Sequence, residues 1–369
     1  MRILLAGGGT AGHINPAISI ASYAKSMDDS TQVLFIGKRG NMEQTLVPKA
    51  GFDIEFIDIE GFKRKLTLKN ISVVLKTMRA IKDSKKIISQ FKPDIVICTG
   101  GYVSGPVMSA AKAMHVPSII HEQNVFPGVT VKLSQKYASY IATSFEQTKN
   151  YLTEKKKCVF TGNPVREQIL TANRELARLS LRLDERPFVL AFGGSLGAAR
   201  VNDAVTGYIE ETIKNDRVQI MFGTGKRNYD AVCEDFKKRG IDLSKHKNIK
   251  VCDYIYNMDM ALAAADVVIG RAGAISISEI TALGKASILI PSPNVAHNHQ
   301  YTNAKALCDK NAACMITEDV LTPKTLGDKV SELLNDRRKL EEIEKNAKKF
   351  GVTDASQKIY ELALKLLRE

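Results

Sequence analysis

Two glycine-rich turns are the first candidates for chemistry in this sequence. The first, GGTAG at 8–12, follows the hydrophobic run 2–6, and the second, GGSLG at 193–197, follows the run 188–192. A turn of this kind before a helix presents backbone N–H groups to a phosphate without a cation. One such turn is weak evidence, because tight turns also use glycine for packing. The repetition predicts two phosphate-type sites.

The spacing of the glycines excludes two common nucleotide sites. Neither turn has the G-x-G-x-x-G pattern of dinucleotide-binding folds. The segment GTGK at 223–226 ends like a P-loop, but the glycine that a P-loop needs five residues before Gly225 is missing. Hydride transfer and ATP hydrolysis are therefore not expected.

Two polar segments follow hydrophobic runs in the first half, and the first contains a candidate general base. His13 comes directly after the first turn, where an imidazole suits proton transfer near neutral pH. Glu122 lies in HEQN at 121–124, four polar residues after the run 118–120 that suggest the lining of a site. The alternatives are a structural histidine and a helix-capping turn.

The second half contains a further set of candidate ligands. The small residues of 270–278 lead into a helix and let a ligand approach its start, with Glu279 one to two turns in. A carboxylate there can accept hydrogen bonds from the vicinal hydroxyls of a ribose. The alternative is a surface carboxylate stabilised by the helix dipole. Asn298, His299 and Gln300 follow the run 287–289 and add polar side chains at the same edge.

Composition and charge restrict the classes of partner that this protein is expected to bind. The 369 residues suffice for two domains, and 44% hydrophobic and 25% charged residues are typical of a globular protein. Residues 1–165 carry 22 Lys and Arg against 12 Asp and Glu, which is +10 of the total charge of +13. A basic first half predicts a phosphorylated substrate or an acidic membrane surface as partner. Nucleic acid is not expected, because the chain has no Trp and no nucleic-acid-binding motif.

Several other classes of protein and site are not expected. The six cysteines contain no CxxC pair and no zinc spacing, so we expect reduced thiols in a cytosolic protein. No apolar run reaches the ~18 residues that span a bilayer, and the sequence begins in a strand-like run, so neither a membrane span nor a signal peptide is expected. No D-x-D triplet occurs. We therefore expect no metal and no cofactor, with helix N-termini neutralising the phosphates.

The elements that must position these residues alternate along the whole chain. Non-alternating apolar runs between amphipathic segments predict parallel sheets that are covered on both faces. One predicted helix covers residues 16–25, with Asn15 as N-cap and Pro16 in the first helical position. The predicted strands are 2–6, 32–36, 54–58, 95–98, 118–120, 140–142, 158–160, 188–192, 218–222, 249–251, 267–269, 287–289 and 314–316.

This alternation restarts after residue 187, which predicts two similar domains. We expect an α/β protein in which two Rossmann-like parallel-sheet domains face each other across a cleft. The predicted domains are residues 1–163 and 164–350, and residues 351–369 form a helix that returns towards the first domain.

One basic segment suggests a membrane surface. Residues 60–92 contain ten Lys and Arg and two acidic residues. Read as a helix, this segment has an apolar stripe with lysines and an arginine on its flank, a pattern of membrane-surface helices. The alternative is that the stripe packs on the sheet. The stripe consists of Ile71, Val74, Leu75, Met78 and Ile81, and the flank of Lys69, Lys76, Arg79 and Lys86.

Taken together, the motifs resemble those of the MurG family. These are bacterial UDP-N-acetylglucosamine:undecaprenyl-diphosphoryl-muramoyl-pentapeptide N-acetylglucosaminyltransferases of the GT-B type, glycosyltransferase family 28. The chain departs from many relatives at Ala11, where they have glycine, and at Leu196, where they often have glutamine. The matching segments are GGGTAGHINPA at 7–17, TGGYVSGP at 99–106, HEQN at 121–124, GNPVR at 162–166, GGSLGAARVN at 193–202 and RAGAISISE at 271–279.

The resemblance implies an activity and a set of partners. The enzyme would transfer N-acetylglucosamine from UDP-N-acetylglucosamine to the C4 hydroxyl of the muramoyl sugar of lipid I, with inversion, to give lipid II in peptidoglycan synthesis. It would work peripherally at the cytoplasmic face of the cell membrane, on an anionic surface and with cell-wall synthesis proteins as possible partners. Two alternatives remain, a UDP-N-acetylglucosamine 2-epimerase and a membrane-bound scaffold that binds nucleotide sugar without turnover.

The resemblance also implies site residues. His13 would be the catalytic base, with Glu122 as second choice. Arg166 and the backbone at Ile255 would meet the uracil. The remaining donor contacts would come from Thr10, Ala11, Gly12, Asn124, Ser195, Ala274, Ile275, Ser276, Ile277, Ser278, Glu279 and Gln300.

Overall fold

All strand pairings in the described parts of the chain are parallel, and the strands form two separate sheets. The computed structural model describes residues 1–60, 69–194 and 197–368, without the side chains of 69–72 and 296. The chain divides into unit 1, residues 1–166 with 352–369, and unit 2, residues 167–351. The predicted α/β class with two Rossmann-like parallel sheets is confirmed.

Unit 1 contains a seven-stranded sheet. Its strands are β1 (Arg2–Gly7), β2 (Gln32–Gly37), β3 (Asp53–Phe56), β4 (Ile95–Gly100), β5 (Ser118–Glu122), β6 (Tyr140–Thr143) and β7 (Cys158–Phe160). Its helices are α1 (Ala11–Met27), α2 (Glu43–Lys49), α3 (Lys69–Phe91), α4 (Ser104–Ala113), α5 (Val129–Ser134) and α15 (Ala355–Leu366). The strand order is β3-β2-β1-β4-β5-β6-β7, so the order reverses between β1 and β4.

Helices cover both faces of this sheet, as the apolar strands require. Successive side chains of a strand point to opposite faces. Ile3 and Leu5 of β1 therefore pack with α1 and α15, whereas Leu4 and Ala6 pack with α3 and α4. Ile359 of α15 is fully buried in the first of these clusters, so the C-terminal helix belongs to the core of unit 1.

The first helix begins earlier than the sequence predicted. It starts at Ala11 with Thr10 in the N-cap position, and Pro16 lies inside it, so the predicted start at Pro16 with Asn15 as N-cap is wrong. The glycine turn changes chain direction at Gly9, whose φ is +86°, and the helix follows immediately. The missing N–H of Pro16 removes one intrahelical bond, a loss that tertiary packing outweighs, since the proline is buried.

Unit 2 contains a six-stranded sheet. Its strands are β8 (Phe188–Phe192), β9 (Gln219–Gly223), β10 (Ile249–Cys252), β11 (Val267–Gly270), β12 (Ala286–Leu289) and β13 (Cys314–Met315). Its helices are α6 (Glu167–Leu170), α7 (Arg174–Ser180), α8 (Ala199–Thr212), α9 (Tyr229–Lys238), α10 (Met258–Ala264), α11 (Ala274–Leu283), α12 (His299–Cys308), α13 (Pro323–Asn335) and α14 (Arg337–Phe350). The order β10-β9-β8-β11-β12-β13 reverses between β8 and β11.

Helix α3 buries a different face from the predicted apolar stripe. Val73 and Ile88 are 3% and 1% exposed, whereas Val74, Leu75 and Met78 of the stripe are 48%, 56% and 63% exposed. The alternative that this part of the stripe packs on the sheet is therefore wrong. Ile81 of the stripe is partly buried against the core, and the side chain of Ile71 lies outside the described residues. No helix in the described residues is both long and apolar enough to cross a membrane.

Candidate active site

The candidate site of unit 1 lies where the strand order reverses between β1 and β4. Ligands of such sheets bind at the carboxyl ends of the strands at this point, because the connections on either side leave to opposite faces. The turn after β1 and the turn after β4 touch here through their backbones. A Cβ atom on Gly101, whose φ is +77°, would lie 2.3 Å from Gly8 O. Glycine is therefore required at Gly101 by both contact and conformation.

His13 sits in the first turn of α1 with its ring fixed by the glycine turn. Its Nδ1 lies 3.1 Å from Gly8 O and 3.3 Å from Thr10 Oγ1. A carbonyl oxygen only accepts, so in the neutral ring Nδ1 carries the proton and Nε2 carries the lone pair. The ring packs on Gly100, where a Cβ atom would lie 3.1 Å from Nε2. This tautomer suits a base that accepts a proton at Nε2.

The turn itself is held by Glu43, the first residue of α2, which sequence reasoning missed. The Glu43 carboxylate is fully buried, and its Oε2 accepts the Gly9 N–H at 3.1 Å. Its Oε1 accepts the Lys38 N–H at 3.1 Å. At least one backbone donor of the first glycine turn is thus bound inside the protein. The Gly9 N–H is therefore already hydrogen-bonded within unit 1.

Glu122 lies inside β5 and is 2% exposed, because the strand continues two residues beyond its predicted end. Its Oε1 accepts the backbone N–H of Asn124 at 2.9 Å and the Asn124 amide at 3.1 Å, and its Oε2 accepts the Gly128 N–H at 2.7 Å. Burial raises the pKa of Glu122, and these hydrogen bonds oppose the rise. The carboxylate therefore holds the loop that carries Asn124.

His121 belongs to a buried network below the site. Its Nε2 lies 3.0 Å from Gly162 O and therefore donates, and its Nδ1 accepts from Gln123 Nε2 at 3.0 Å. Gln123 Nε2 also donates to Thr99 O at 2.6 Å. Burial lowers the pKa of His121 to about 4, the hydrogen bond to Gly162 opposes this, and the charge on His13 adds to it. His121 is thus a neutral structural histidine that, with Gln123, links β5 to β4 and to the segment after β7.

A cavity of about 470 Å³ lies at the corresponding reversal point of unit 2, between the ends of β8 and β11. The second glycine turn forms one wall. Gly197, with φ +76°, admits no side chain, because a Cβ atom would lie 2.1 Å from Thr224 O. The described lining residues are Gly193, Gly194, Gly197, Ala198, Ala199, Arg200, Arg271, Ser292, Asn294, Gln300 and Glu318.

The polar wall of this cavity is an ion pair that sequence reasoning did not single out. Arg271, after β11, pairs with Glu318, after β13, and both side chains are 14% exposed. Arg271 Nη1 also donates to Ile290 O at 3.1 Å, and Arg200 donates to Glu318 O at 3.2 Å. Arginine is the side chain best suited to an anionic ligand. The rule that polar residues after strand ends line a site would have identified Arg271 and Glu318.

Among the predicted donor residues, Gln300 lines the cavity, and its Oε1 accepts the Ser292 N–H at 2.9 Å. Ala274 begins α11, and Ile277 and Glu279 of this helix are buried, at 2% and 7% exposed. Ser278 Oγ donates to Ala274 O at 2.9 Å. The α11 residues do not line the cavity in the part of the chain described.

The remaining predicted residues are distributed as follows. Ile255 follows β10 and is buried against Gly223. Arg166 is half-buried at the end of the first segment of unit 1. Thr10 is exposed, while Ala11 and Gly12 form the half-buried start of α1. Ser195 and the departure at Leu196 lie outside the described residues.

Comparison with known proteins identifies the family. The model of the glycosyltransferase family 28 N-terminal domain matches residues 3–143, and that of the glycosyltransferase family 28 C-terminal domain matches residues 188–359. A relative from Acetivibrio thermocellus is named UDP-N-acetylglucosamine–N-acetylmuramyl-(pentapeptide) pyrophosphoryl-undecaprenol N-acetylglucosamine transferase. It is 44% identical over 369 residues, which is 100% of this chain and 99% of the relative. This chain belongs to the MurG family of glycosyltransferase family 28.

Solved structures agree with the MurG family and with its GT-B fold. The crystal structure of Acinetobacter baumannii MurG is similar to this chain with a TM-score of 0.76 and 26% identity, over 99% of both chains. A UDP-GlcNAc 2-epimerase from Neisseria meningitidis bound to UDP-GlcNAc has a TM-score of 0.71 at 14% identity, over 99% of this chain and 100% of that chain. At such low identity the second likeness concerns the fold alone.

The His121 network in this MurG-family chain predicts a pH-dependent stability. An unfolded histidine binds a proton below about pH 6.5, whereas folded His121 does so only near its pKa of about 4. Stability is therefore lost as pH falls through this window. The variant His121→Gln keeps an N–H donor but cannot titrate. Between pH 7 and pH 5 we expect its free energy of unfolding to fall by about 2 kcal/mol less than that of the parent protein.

Urea unfolding at the two pH values measures this difference. Exposed His115 provides the matched control, since His115→Gln should leave the pH dependence of the parent protein unchanged. Equal losses of stability in the parent protein and His121→Gln would contradict the assignment of His121 as a buried neutral group.

Proposed function

We propose that this chain transfers N-acetylglucosamine from UDP-N-acetylglucosamine to the C4 hydroxyl of the muramoyl sugar of lipid I, with inversion at the anomeric carbon. The observation that carries the proposal is the 44% identity over the full chain to a relative whose name states this class of transfer. Family membership extends over both units, and each unit has a candidate site at its strand-order reversal. The products are lipid II and UDP.

His13 is the general base in this proposal. The acceptor hydroxyl gives its proton to Nε2 while its oxygen bonds to the anomeric carbon, and the bond from that carbon to the diphosphate oxygen breaks. The Nδ1–H bond to Gly8 O supports the role, because it fixes the tautomer whose lone pair is on Nε2. The half-buried ring retains access to a substrate.

Glu122 acts as a positioning residue in this proposal rather than as the base. Both carboxylate oxygens accept N–H groups of the following loop, and 2% exposure leaves little access for a sugar hydroxyl. Its effect is to hold Asn124, which would contact the donor sugar. Glu122 is the alternative base, and the transfer assay with variants of both residues distinguishes the two.

The nucleotide binds unit 2 in this proposal. The N-termini of α8 and α11 adjoin the reversal point, and Arg271 lines the cavity there, so this edge favours the charge that develops on the departing diphosphate. Gln300 would contact the sugar hydroxyls, Glu279 the ribose, and Ile255 with Arg166 the uracil. Thr10, Ala11 and Gly12 would border the sugar and diphosphate from unit 1. The hydroxyl of Ser195 would meet the phosphates, and α11 residues 274–278 would complete the donor site.

Unit 1 also carries the proposed membrane surface. Val74, Leu75 and Met78 of α3 are about half exposed or more, and α5 adds Val129 and Leu133 at 58% and 64%. Large exposed apolar side chains together with basic residues favour an anionic lipid surface. Such a surface gives an enzyme with a lipid-anchored acceptor a peripheral location on the inner leaflet.

The basic residues of α3 differ in their surroundings. Lys76 forms ion pairs with Glu60 and, at 3.8 Å, with Asp58, so part of its charge is already compensated within the protein. Arg79, Lys82 and Lys86 are exposed. The latter three are therefore the better probes of lipid binding.

The central test is turnover of labelled UDP-N-acetylglucosamine with a short-chain lipid I analogue. We expect a disaccharide product with a β-linked sugar, retained activity in EDTA, and a His13→Ala variant whose kcat is lower by about 10²–10⁴-fold at similar donor KM. Exposed His115→Gln is the control. Epimerisation of the sugar without acceptor would identify an epimerase, and binding of the nucleotide sugar without turnover would identify a scaffold. If His13→Ala keeps its transferase activity and Glu122→Gln loses it, Glu122 is the base.

Glu279 tests the donor side. Removing an acceptor for the ribose hydroxyls should cost about 1.5–3 kcal/mol, so Glu279→Ala should raise the donor KM about ten- to a hundredfold and leave the acceptor KM nearly unchanged. Because Glu279 is buried, Glu279→Gln serves as the conservative variant and exposed Glu185→Gln as the control. An unchanged donor KM in both Glu279 variants would remove the residue from the site.

Vesicle co-sedimentation tests the membrane surface. The variant Arg79→Glu, Lys82→Glu, Lys86→Glu should bind anionic vesicles at least tenfold more weakly than the parent protein, since each lysine or arginine near anionic lipid contributes about 1 kcal/mol. Salt should weaken binding of the parent protein, and neutral vesicles should bind it poorly.

A variant with the same change in net charge in unit 2 provides the control. Lys237→Glu, Lys238→Glu, Lys247→Glu alters three exposed lysines outside unit 1 and should bind anionic vesicles nearly as the parent protein does. Equal loss in both triple variants would mean that only overall charge matters, and equal binding to neutral vesicles would exclude the electrostatic part of the proposal.

A further inference from the structure

One peptide group joins a buried carboxylate to the imidazole of unit 1. The N–H of Gly9 donates to Glu43 Oε2 at 3.1 Å, and the C=O of Gly8 accepts from His13 Nδ1 at 3.1 Å. Gly8 C=O and Gly9 N–H are the two ends of the same amide. A continuous series of hydrogen bonds therefore runs from the carboxylate through the peptide to the ring.

The carboxylate has little freedom to leave this arrangement. Glu43 is fully buried, and its second oxygen accepts the Lys38 N–H at 3.1 Å. The backbones of two glycines pack directly against it. A Cβ atom on Gly8 would lie 2.6 Å from Glu43 Oε1, and one on Gly37 would lie 2.7 Å from Glu43 Cγ. Both oxygens thus have backbone donors, which is the pairing that a buried carboxylate requires.

We propose that Glu43 is a positioning residue for His13, which it orients and polarises through the Gly8–Gly9 peptide group. The negative carboxylate draws the amide N–H and increases the electron density on Gly8 O. A stronger acceptor at Gly8 O holds the proton on Nδ1 and makes the Nε2 lone pair more basic. A carboxylate bonded directly to a catalytic histidine has the same two effects.

Other titratable groups surround the turn. Tyr102 covers Gly9, and its hydroxyl accepts from Asn41, while Lys38 Nζ lies 5.9 Å from the Tyr102 ring centroid. From β5, His121 is the group whose charge is coupled to that of His13. His121 stays neutral above its pKa of about 4, so its charge does not affect a titration of His13 near neutral pH.

The kinetic part of this inference rests on the proposed function, whereas the titration of His13 does not. Glu43→Gln keeps an amide oxygen that can accept the Gly9 N–H but removes the negative charge. Labelled-histidine NMR of the ligand-free chain follows each ring, with the His13 signal identified by its loss in His13→Gln. Exposed Glu55→Gln, on β3, is the matched control.

We expect the His13 midpoint to move to lower pH in Glu43→Gln by about half a pH unit or more, because a nearby negative charge stabilises the imidazolium. In the transfer assay, kcat should fall about three- to tenfold with unchanged donor KM, and the acidic limb of the pH profile should move the same way. Glu55→Gln should change neither.

An unchanged His13 midpoint in folded Glu43→Gln would overturn the proposal. If Glu43→Gln does not fold, the ring-nitrogen chemical shifts of His13 in the parent protein provide the test. A neutral ring protonated at Nε2 would also overturn the proposal. A shifted midpoint in a chain without transferase activity would support the link between Glu43 and His13 while refuting the proposed function.

Discussion

The parallel pairing of β1 with β4 and of β8 with β11 is the constraint on which both candidate sites depend. At these pairs the strand order reverses, so the connections after the two strands leave to opposite faces and cannot fill the space between them. The turns must then cross close to one another's backbones. In unit 1 the resulting contact is that of Gly101 with Gly8, which leaves no room for a side chain. In unit 2 the close contact of the glycine turn is instead with Thr224, which follows β9, and it leaves no room for a side chain at Gly197.

Backbone groups, rather than other side chains, fix most of the polar residues near the unit 1 site. Glu43 accepts from Gly9 and Lys38, Glu122 accepts from Asn124 and Gly128, and His121 donates to Gly162. Buried polar groups need such partners, since an unpaired one would cost a large part of the stability of a domain. The consequence is that the loops around His13 are held by the same bonds that satisfy these groups.

The groups that interact with negative charge differ between the two units. In unit 1 the Gly9 N–H of the glycine turn donates to the Glu43 carboxylate, and the Gly8 carbonyl of the same turn accepts from His13. In unit 2 the turn after β8 borders a cavity whose polar wall contains Arg271. The ion pair with Glu318 holds that arginine in the wall of the cavity. These features are the basis for the proposed roles, proton acceptance in unit 1 and diphosphate binding in unit 2.

The sequence by itself determined the alternating strands, the two sheets and the family, because apolar runs, glycine turns and family motifs are local patterns. It also pointed to His13, which directly follows the first glycine turn, and to Gln300, which lines the cavity of unit 2. It misplaced the start of α1, since Pro16 has the local properties of a first helical residue, whereas the helix starts at Ala11 and Pro16 is buried inside it. Tertiary structure decided which face of α3 is buried, that Glu122 lies inside a strand, and that Glu43 reaches Gly9 from 34 residues away. These features depend on which distant backbone groups meet, and no local spacing of residue types encodes that.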